Sequence, residues 1–339
     1  TFYKQSVWFF IGAIAFYLVQ FVRIQYLYDY SYFFYLLLLV LIGVTLLFSP
    51  KIAGSQRWIV FGPIYFQPSE IGKIIYIIFI ARFFTDFKIK DKLTKNFIFM
   101  LPILVIPPLL VFMQPDLGTA MIYLSVIIPM FFWSGFSPLI IFILIAPFVS
   151  LVAVSSLAYF YIWMVLFVFL MFYYRPSLFV IIFNFILNVI CGLFSPYVWE
   201  NILKPHQRQR IETFLDPFSD PLGAGYQVIQ SIISIGSGGI WGKGWGNGTQ
   251  TQLKFLPVRD TDFIISVISE EMGFIAIFFI LIALLWFIYW CFEYAVKIEN
   301  RFASLLLVGC CTIIFMHFII NMGMVAGLLP VTGLPVPFI

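Results

Sequence analysis

Two carboxylates, Asp260 and Asp262, close the polar stretch GTQTQLKFLPVRDTD at 248–262, immediately before an apolar run that opens at Phe263. A carboxylate at such a boundary is partly shielded from water; its pKa rises, and it can take a proton from a hydroxyl as a general base. The plain alternative is a helix N-cap with solvated neighbours. Glu270 and Glu271 follow about two turns further along the same run. Glu70 and Lys73, in FQPSEIGKIIYIIFIARFF, are three apart and share a helix face. Buried in an apolar run they either pin the helix as an ion pair or line a polar cavity. Asp116, in QPDLGTAM, precedes Gly118 and Thr119 at a run's start, where an acid caps a helix and complements its dipole. The glycine cluster at 236–248 misses the nucleotide-loop spacing G-x-x-x-x-G-K-[ST], since position 237 is Ser and position 244 is Gly. Glycines still let backbone amides approach an anion, so Lys243 and this loop either meet a pyrophosphate or form a plain flexible connection.

The elements that must hold these groups are membrane helices. The chain of 339 residues is 63% hydrophobic, 21% aromatic and 10% charged, against roughly half apolar and a quarter charged in a soluble domain. Apolar runs long enough to cross a bilayer recur throughout, and no soluble domain of useful size remains. The runs lie near 6–22, 32–49, 70–85, 97–113, 118–134, 137–155, 159–174, 177–194, 263–290 and 303–325. The expected fold is an all-α polytopic helix bundle of about ten spans with one large extracytoplasmic loop at 195–262. Cys191, Cys291, Cys310 and Cys311 fall in or at the ends of apolar runs without metal-ligand spacing and read as small buried hydrophobes. The net charge of +4 flanks spans rather than forming a nucleic-acid surface. There is no initiator Met and no cleavable leader, and the sequence stops at LPVPFI; a piece trimmed at both ends is expected.

Orientation follows from short loops. DFKIKDKLTKN at 86–96 holds four lysines and is placed in the cytoplasm. Alternation then puts Arg23, Arg175 and the Lys297/Arg301 turn inside, with Lys4, the 50–69 loop and all of 195–262 outside. Within that loop VIQSIISIGSGG is expected as a helix in the interface plane, with Trp241 and Trp245 at headgroup depth.

The motifs QPSEIGK, QPDLGTA, QRQRIETFLDPFSDPLGAGYQVIQS, IGSGGIWGKGW, TDFIISVISEEMGF and NMGMVAGLLPVTGLPVPFI together resemble the SEDS family, the shape, elongation, division and sporulation proteins of bacteria. GTQTQL looks like the elongation branch. The resemblance touches nearly every loop outside 137–195. It implies a peptidoglycan glycosyltransferase of the cytoplasmic membrane that polymerises lipid II on the outer face. It also implies a class B penicillin-binding protein as partner, within the elongation machinery. The family's essential Asp maps onto Asp262, as base for the attacking 4-hydroxyl in an inverting transfer. Arg57, Trp58, Glu70 and Lys73 are expected to meet the substrate, as are Arg208, Arg210, Gln230 and Lys243. Asp116, Asp260 and Glu271 take supporting places. A divalent cation (Mg or Mn) is expected on the pyrophosphate, with no organic cofactor and no protein metal ligands assigned.

Three departures stand out. Asp260 occupies the position of the family's usual His, two residues from the expected base, where a like charge raises a carboxyl pKa. Between FFWSGFSP and HQRQR three runs fit where one is usual, so 137–194 holds an added helical pair that keeps the parity. By the family's pattern, its first and last spans are expected to lie beyond the two ends of this sequence. Two rival functions remain at this stage: a lipid II flippase, and a non-catalytic scaffold for a penicillin-binding protein.

Overall fold

The computed structural model describes residues 2–50, 56–62, 64–86, 95–154, 156–203, 205–221, 223, 225–252 and 261–337. Residues 87–94 of the lysine-rich loop used for orientation, and Asp260, lie outside these residues. Every expected apolar run is a helix: α1 Phe2–Val19, α3 Ser31–Phe48, α4 Pro68–Asp86, α5 Lys95–Met113, α6 Leu117–Trp133, α7 Pro138–Ala153, α8 Leu157–Tyr174, α9 Leu178–Tyr197, α13 Ile264–Lys297 and α14 Arg301–Val325. Between them lie short α2 (Ile24–Asp29) and, in the long loop, α10 (Pro205–Leu215), α11 (Tyr226–Gly238) and α12 (Thr249–Gln252). Among the described residues five helices are long and apolar enough to cross a membrane: α3, α8, α9 with its extension to Ile202, α13 and α14. Shorter apolar helices accompany them. The chain is a multi-pass helical membrane protein.

The main core joins α3, α4, α5, α6 and α14, with Leu38, Ile42, Tyr76, Ile80, Phe84, Val126 and Leu305 buried. Polar side chains tie these helices, as they must where lipid gives apolar contact no advantage. Gln114 donates to the Ile42 carbonyl at 3.0 Å, and Tyr123 to the Ser69 carbonyl at 2.9 Å. Helices α7, α8 and α9, in the segment read as carrying an added pair, form a separate cluster around Ala146, Phe167 and Met171. A buried network fastens it: Trp163 donates to Ser150 Oγ (2.9 Å), and Ser150 to Asn188 Oδ1 (2.6 Å).

Two features were not expected. One is an antiparallel hairpin, β1 Ile59–Phe61 with β2 Ile64–Phe66, in register Ile59 to Phe66. The other is a break inside α13. Gly273 there has φ 77° and ψ −176°, and the glycine loop inserts its backbone into the gap. Lys243 N and Gly244 N donate to the carbonyls of Glu270 and Glu271, while Phe274 N and Ile275 N donate to those of Gly239 and Ile240. All four bonds are 2.9–3.2 Å. The glycine cluster therefore permits close backbone contact with α13. A Cβ on Gly273 would collide with the Gly242 nitrogen and the Ile240 oxygen, so Gly273→Ala is expected to lower stability by about 2–3 kcal/mol or more. Its thermal midpoint in detergent measures the loss; a midpoint equal to the wild type would contradict the inserted geometry.

Helix α11 is helical as expected, but its buried side is the serine side. Ser231 and Ser234 are fully buried, whereas Ile232 and Ile233 are exposed. Ser231 Oγ lies 2.8 Å from Ser266 Oγ on α13, which holds α11 along that helix.

Candidate active site

The hairpin, the starts of α4, α6 and α13, and helix α10 converge at one end of the molecule. Arg57 and Gln67 flank the hairpin's open end, and both reach Asp116: Arg57 Nη1 at 3.0 Å and Gln67 Nε2 at 2.8 Å from Oδ2. Asp116 Oδ1 also accepts from Thr119 N at 3.1 Å, so this buried acid caps α6 as its sequence position implied. Trp58 lies edge-on to Tyr65 of the hairpin at 6.3 Å, with the Arg57 guanidinium 5.9 Å from its ring centre.

From Asp116 a polar line runs inward. Thr119 Oγ1 stands 3.5 Å from Glu70 Oε1, and Glu70 Oε2 accepts from Lys73 Nζ at 2.7 Å. Lys73 is buried and its ammonium is also 2.9 Å from His317 Nε2. The expected pair thus exists, and its third member comes from α14, 244 positions away.

Asp262 sits in the turn that leads into α13, half-buried. Loss of water raises its carboxyl pKa above the ordinary Asp range; a bond from Thr261 and the charges of Arg210 and Arg57 oppose the rise without cancelling it. Arg210 reaches the surface from α10, yet the protein around it removes enough water to lower its pKa. The Arg57 charge adds to that effect, and Asp116 and Asp262 counter it. Two cations and two carboxylates thus share one field. Arg210 lines a cavity of about 240 Å³ with Gln209, Thr213, Gln227, Leu329 and Pro330. Leu329 also borders an apolar groove of about 490 Å³ between α5, α6, α7 and α14.

Other expected residues stand elsewhere. Arg208 donates to the carbonyls of Leu203 (3.1 Å) and Glu200 in its own stretch of chain. Gln230, on α11, buries Oε1 without a hydrogen-bond partner. Lys243 does not point into open space: its ammonium is 2.8 Å from Glu270 Oε1, Ser237 Oγ and Thr249 Oγ1. On α13 the acid that meets Lys243 is Glu270, fully buried, while the expected Glu271 contributes its main-chain oxygen to Gly244. Neighbours on a helix point about 100° apart, and only Glu270 faces the serine side of α11. Among the described residues no group of three His, Cys, Asp or Glu can hold a metal ion.

The family of FtsW, RodA and SpoVE, described as cell cycle protein, matches at residues 1–163 and 143–339. The chain belongs to that family. Its MrdB from Escherichia coli K12, named a peptidoglycan glycosyltransferase, is 36% identical over 286 residues, 84% of this chain and 65% of MrdB. The chain thus spans 65% of that relative's length. RodA of Treponema pallidum, given the same activity by name, is 29% identical across 98% of this chain and 83% of its own. A chain solved in a peptidoglycan synthase complex, in work on the coordination of polymerization and crosslinking, is 28% identical with a TM-score of 0.69, covering 99% of this chain and 82% of that one. The crystal structure of Thermus thermophilus RodA shares the fold at a TM-score of 0.60 and 21% identity, covering 99% of this chain and 79% of its own. The family's two matches overlap at 143–163, inside α7 and the start of α8.

Proposed function

We propose that this chain is a peptidoglycan glycosyltransferase polymerising lipid II into glycan strands at the outer face of the bacterial cytoplasmic membrane, during elongation. The observation that carries the reading is the half-buried Asp262 carboxyl with raised pKa, held in a common field with Arg210 and Arg57. As carboxylate, Asp262 takes the proton of the acceptor's 4-hydroxyl while that oxygen attacks the anomeric carbon of the donor. The lipid pyrophosphate leaves with both electrons of the broken bond, and the donor carbon inverts. Arg210 and Arg57 supply positive charge where the leaving group becomes more negative. The apolar groove that meets the polar cavity at Leu329 suits the polyprenyl part of the same molecule. The pyrophosphate would itself carry most of a divalent cation's ligands.

The arrangement of helix ends supports an extracytoplasmic site. Arg57, Asp116, Arg210 and Asp262 meet at one end, while Arg82 with Asp86 and Arg301 with Ser134 lie at the far ends of the same helices. Charge bias assigns the second set to the cytoplasm. In this reading the transpeptidase partner is a class B penicillin-binding protein, 195–262 is the outer loop, and the helices of 137–194 include an added pair that leaves the loop outside. Purified full-length protein with its partner, given lipid II, is expected to make long glycan strands on gels. Lipid II crossing in liposomes without polymer would instead favour a flippase.

A pH profile follows from the Asp262 environment. A base with a raised pKa loses its proton-accepting form at a higher pH than an ordinary carboxylate. The rate is therefore expected to fall, as pH drops, through a limb lying above the usual Asp range. An acid limb at or below that range, from kcat/KM against pH, contradicts the assignment.

A further inference from the structure

His317 and Asn321 lie one turn apart on α14, both buried, and both touch the extended segment 332–336 that follows that helix. Asn321 Nδ2 donates to the main-chain oxygen of Asp262 at 2.9 Å and to that of Leu334 at 2.6 Å. Those two acceptors fix the amide's orientation, since the flipped form would set oxygen against oxygen. Its own Oδ1 stays buried with no partner. A leucine of similar volume would avoid that unmet acceptor, so packing alone does not account for an amide here. The first bonds of α13, from Ser266 N and Val267 N, go to the Phe263 oxygen, which leaves the Asp262 oxygen to Asn321. Gly333, at φ 70°, completes the seat: a Cβ there would stand 3.4 Å from Asp262 Oδ2. His317 Nδ1 approaches the Pro335 oxygen at 3.4 Å and its Nε2 meets Lys73.

We propose that Asn321 is a positioning residue for Asp262, tying the main chain of the base to the 332–336 segment so that its carboxylate stands in fixed relation to Arg210 and Arg57. The assignment rests on the reading of Asp262 as general base. The segment is at once the wall against the Asp262 carboxylate and, through His317, the neighbour of the buried Lys73.

The test uses the full chain with its partner and lipid II as substrate. Asn321→Leu is expected to lower kcat roughly 10- to 100-fold with KM unchanged, the scale of a small misplacement of a reacting group. It also moves the acid limb toward lower pH, because a carboxylate released from its seat regains water, while Arg210, Arg57 and Thr261 still favour its charged form. Asn321→Gln keeps both donors but displaces them by a methylene; it shifts the limb the same way with a smaller loss of kcat, and carries the test if the leucine variant does not fold. A packing role predicts fewer folded molecules, each with the wild-type kcat and acid limb, and that result overturns the proposal. Asp262→Asn assayed alongside separates the two ideas. Normal polymer from it removes the general-base reading, whereas an inactive Asp262→Asn beside a normal Asn321→Leu removes only the positioning role.

Discussion

Asp262→Asn is expected to reduce glycan polymerisation by roughly 10²- to 10⁴-fold, the usual contribution of a positioned general base. The amide has nearly the same shape, so the turn before α13, the Asn321 bond to its main chain and the contact with Gly333 all survive. Removing the carboxylate also relieves the burial that raises its pKa. The thermal midpoint is therefore expected to hold or rise while activity is lost. Polymer length on gels, normalised to folded protein and measured with the partner present, gives the readout. Wild-type strands from this variant would end the assignment. Unaltered lipid II crossing in liposomes would show that any transport is a separate property.

Lys243→Met is expected to act in the opposite way, on stability first. Glu270 is fully buried, and the Lys243 ammonium stands 2.8 Å from its Oε1. Breaking a buried ion pair by removing one member typically costs about 3–5 kcal/mol. Thr249 Oγ1 and Gln250 N, each 3.0 Å from Glu270 Oε1, soften that cost, so a loss near the lower end is expected. The double variant Lys243→Met with Glu270→Gln should recover much of it, since a neutral amide keeps an acceptor for those donors. Thermal midpoints of the two single variants and the double variant form the cycle. Equal midpoints for Lys243→Met and the wild type would show that the pair holds nothing in place.

Much of the helical framework was legible because an apolar run of span length has few other fates. The pairing of Glu70 with Lys73 and the capping by Asp116 were legible too, since both are set by spacing within one helix. What escaped was long-range. Nothing near Lys73 points to His317, and nothing near Asp116 points to Arg57 beside the hairpin. The break in α13 hid inside a continuous apolar run. A trace of it was present: Ser266, Ser269, Glu270 and Gly273 recur at three and four residues, a small and polar stripe on one helix face. That stripe marks the side on which α11 and the glycine loop pack, and it singles out Glu270 over Glu271. The Lys243 contact escaped for the complementary reason: its partner is an acid in a helix distant in sequence.

The exchange of backbone bonds at Gly273 also decides what can be transplanted. In hydrocarbon an open helix needs substitutes for its lost partners, and here residues 239–244 supply them. Residues 238–244 of the loop and the first turns of α13, from Ile264 to Ile275, are therefore joined in one hydrogen-bonded module. A chimera cut where the loop meets the helix would carry half of each hydrogen-bonded pair. One cut outside the module would move the acid-bearing turn and its scaffold together.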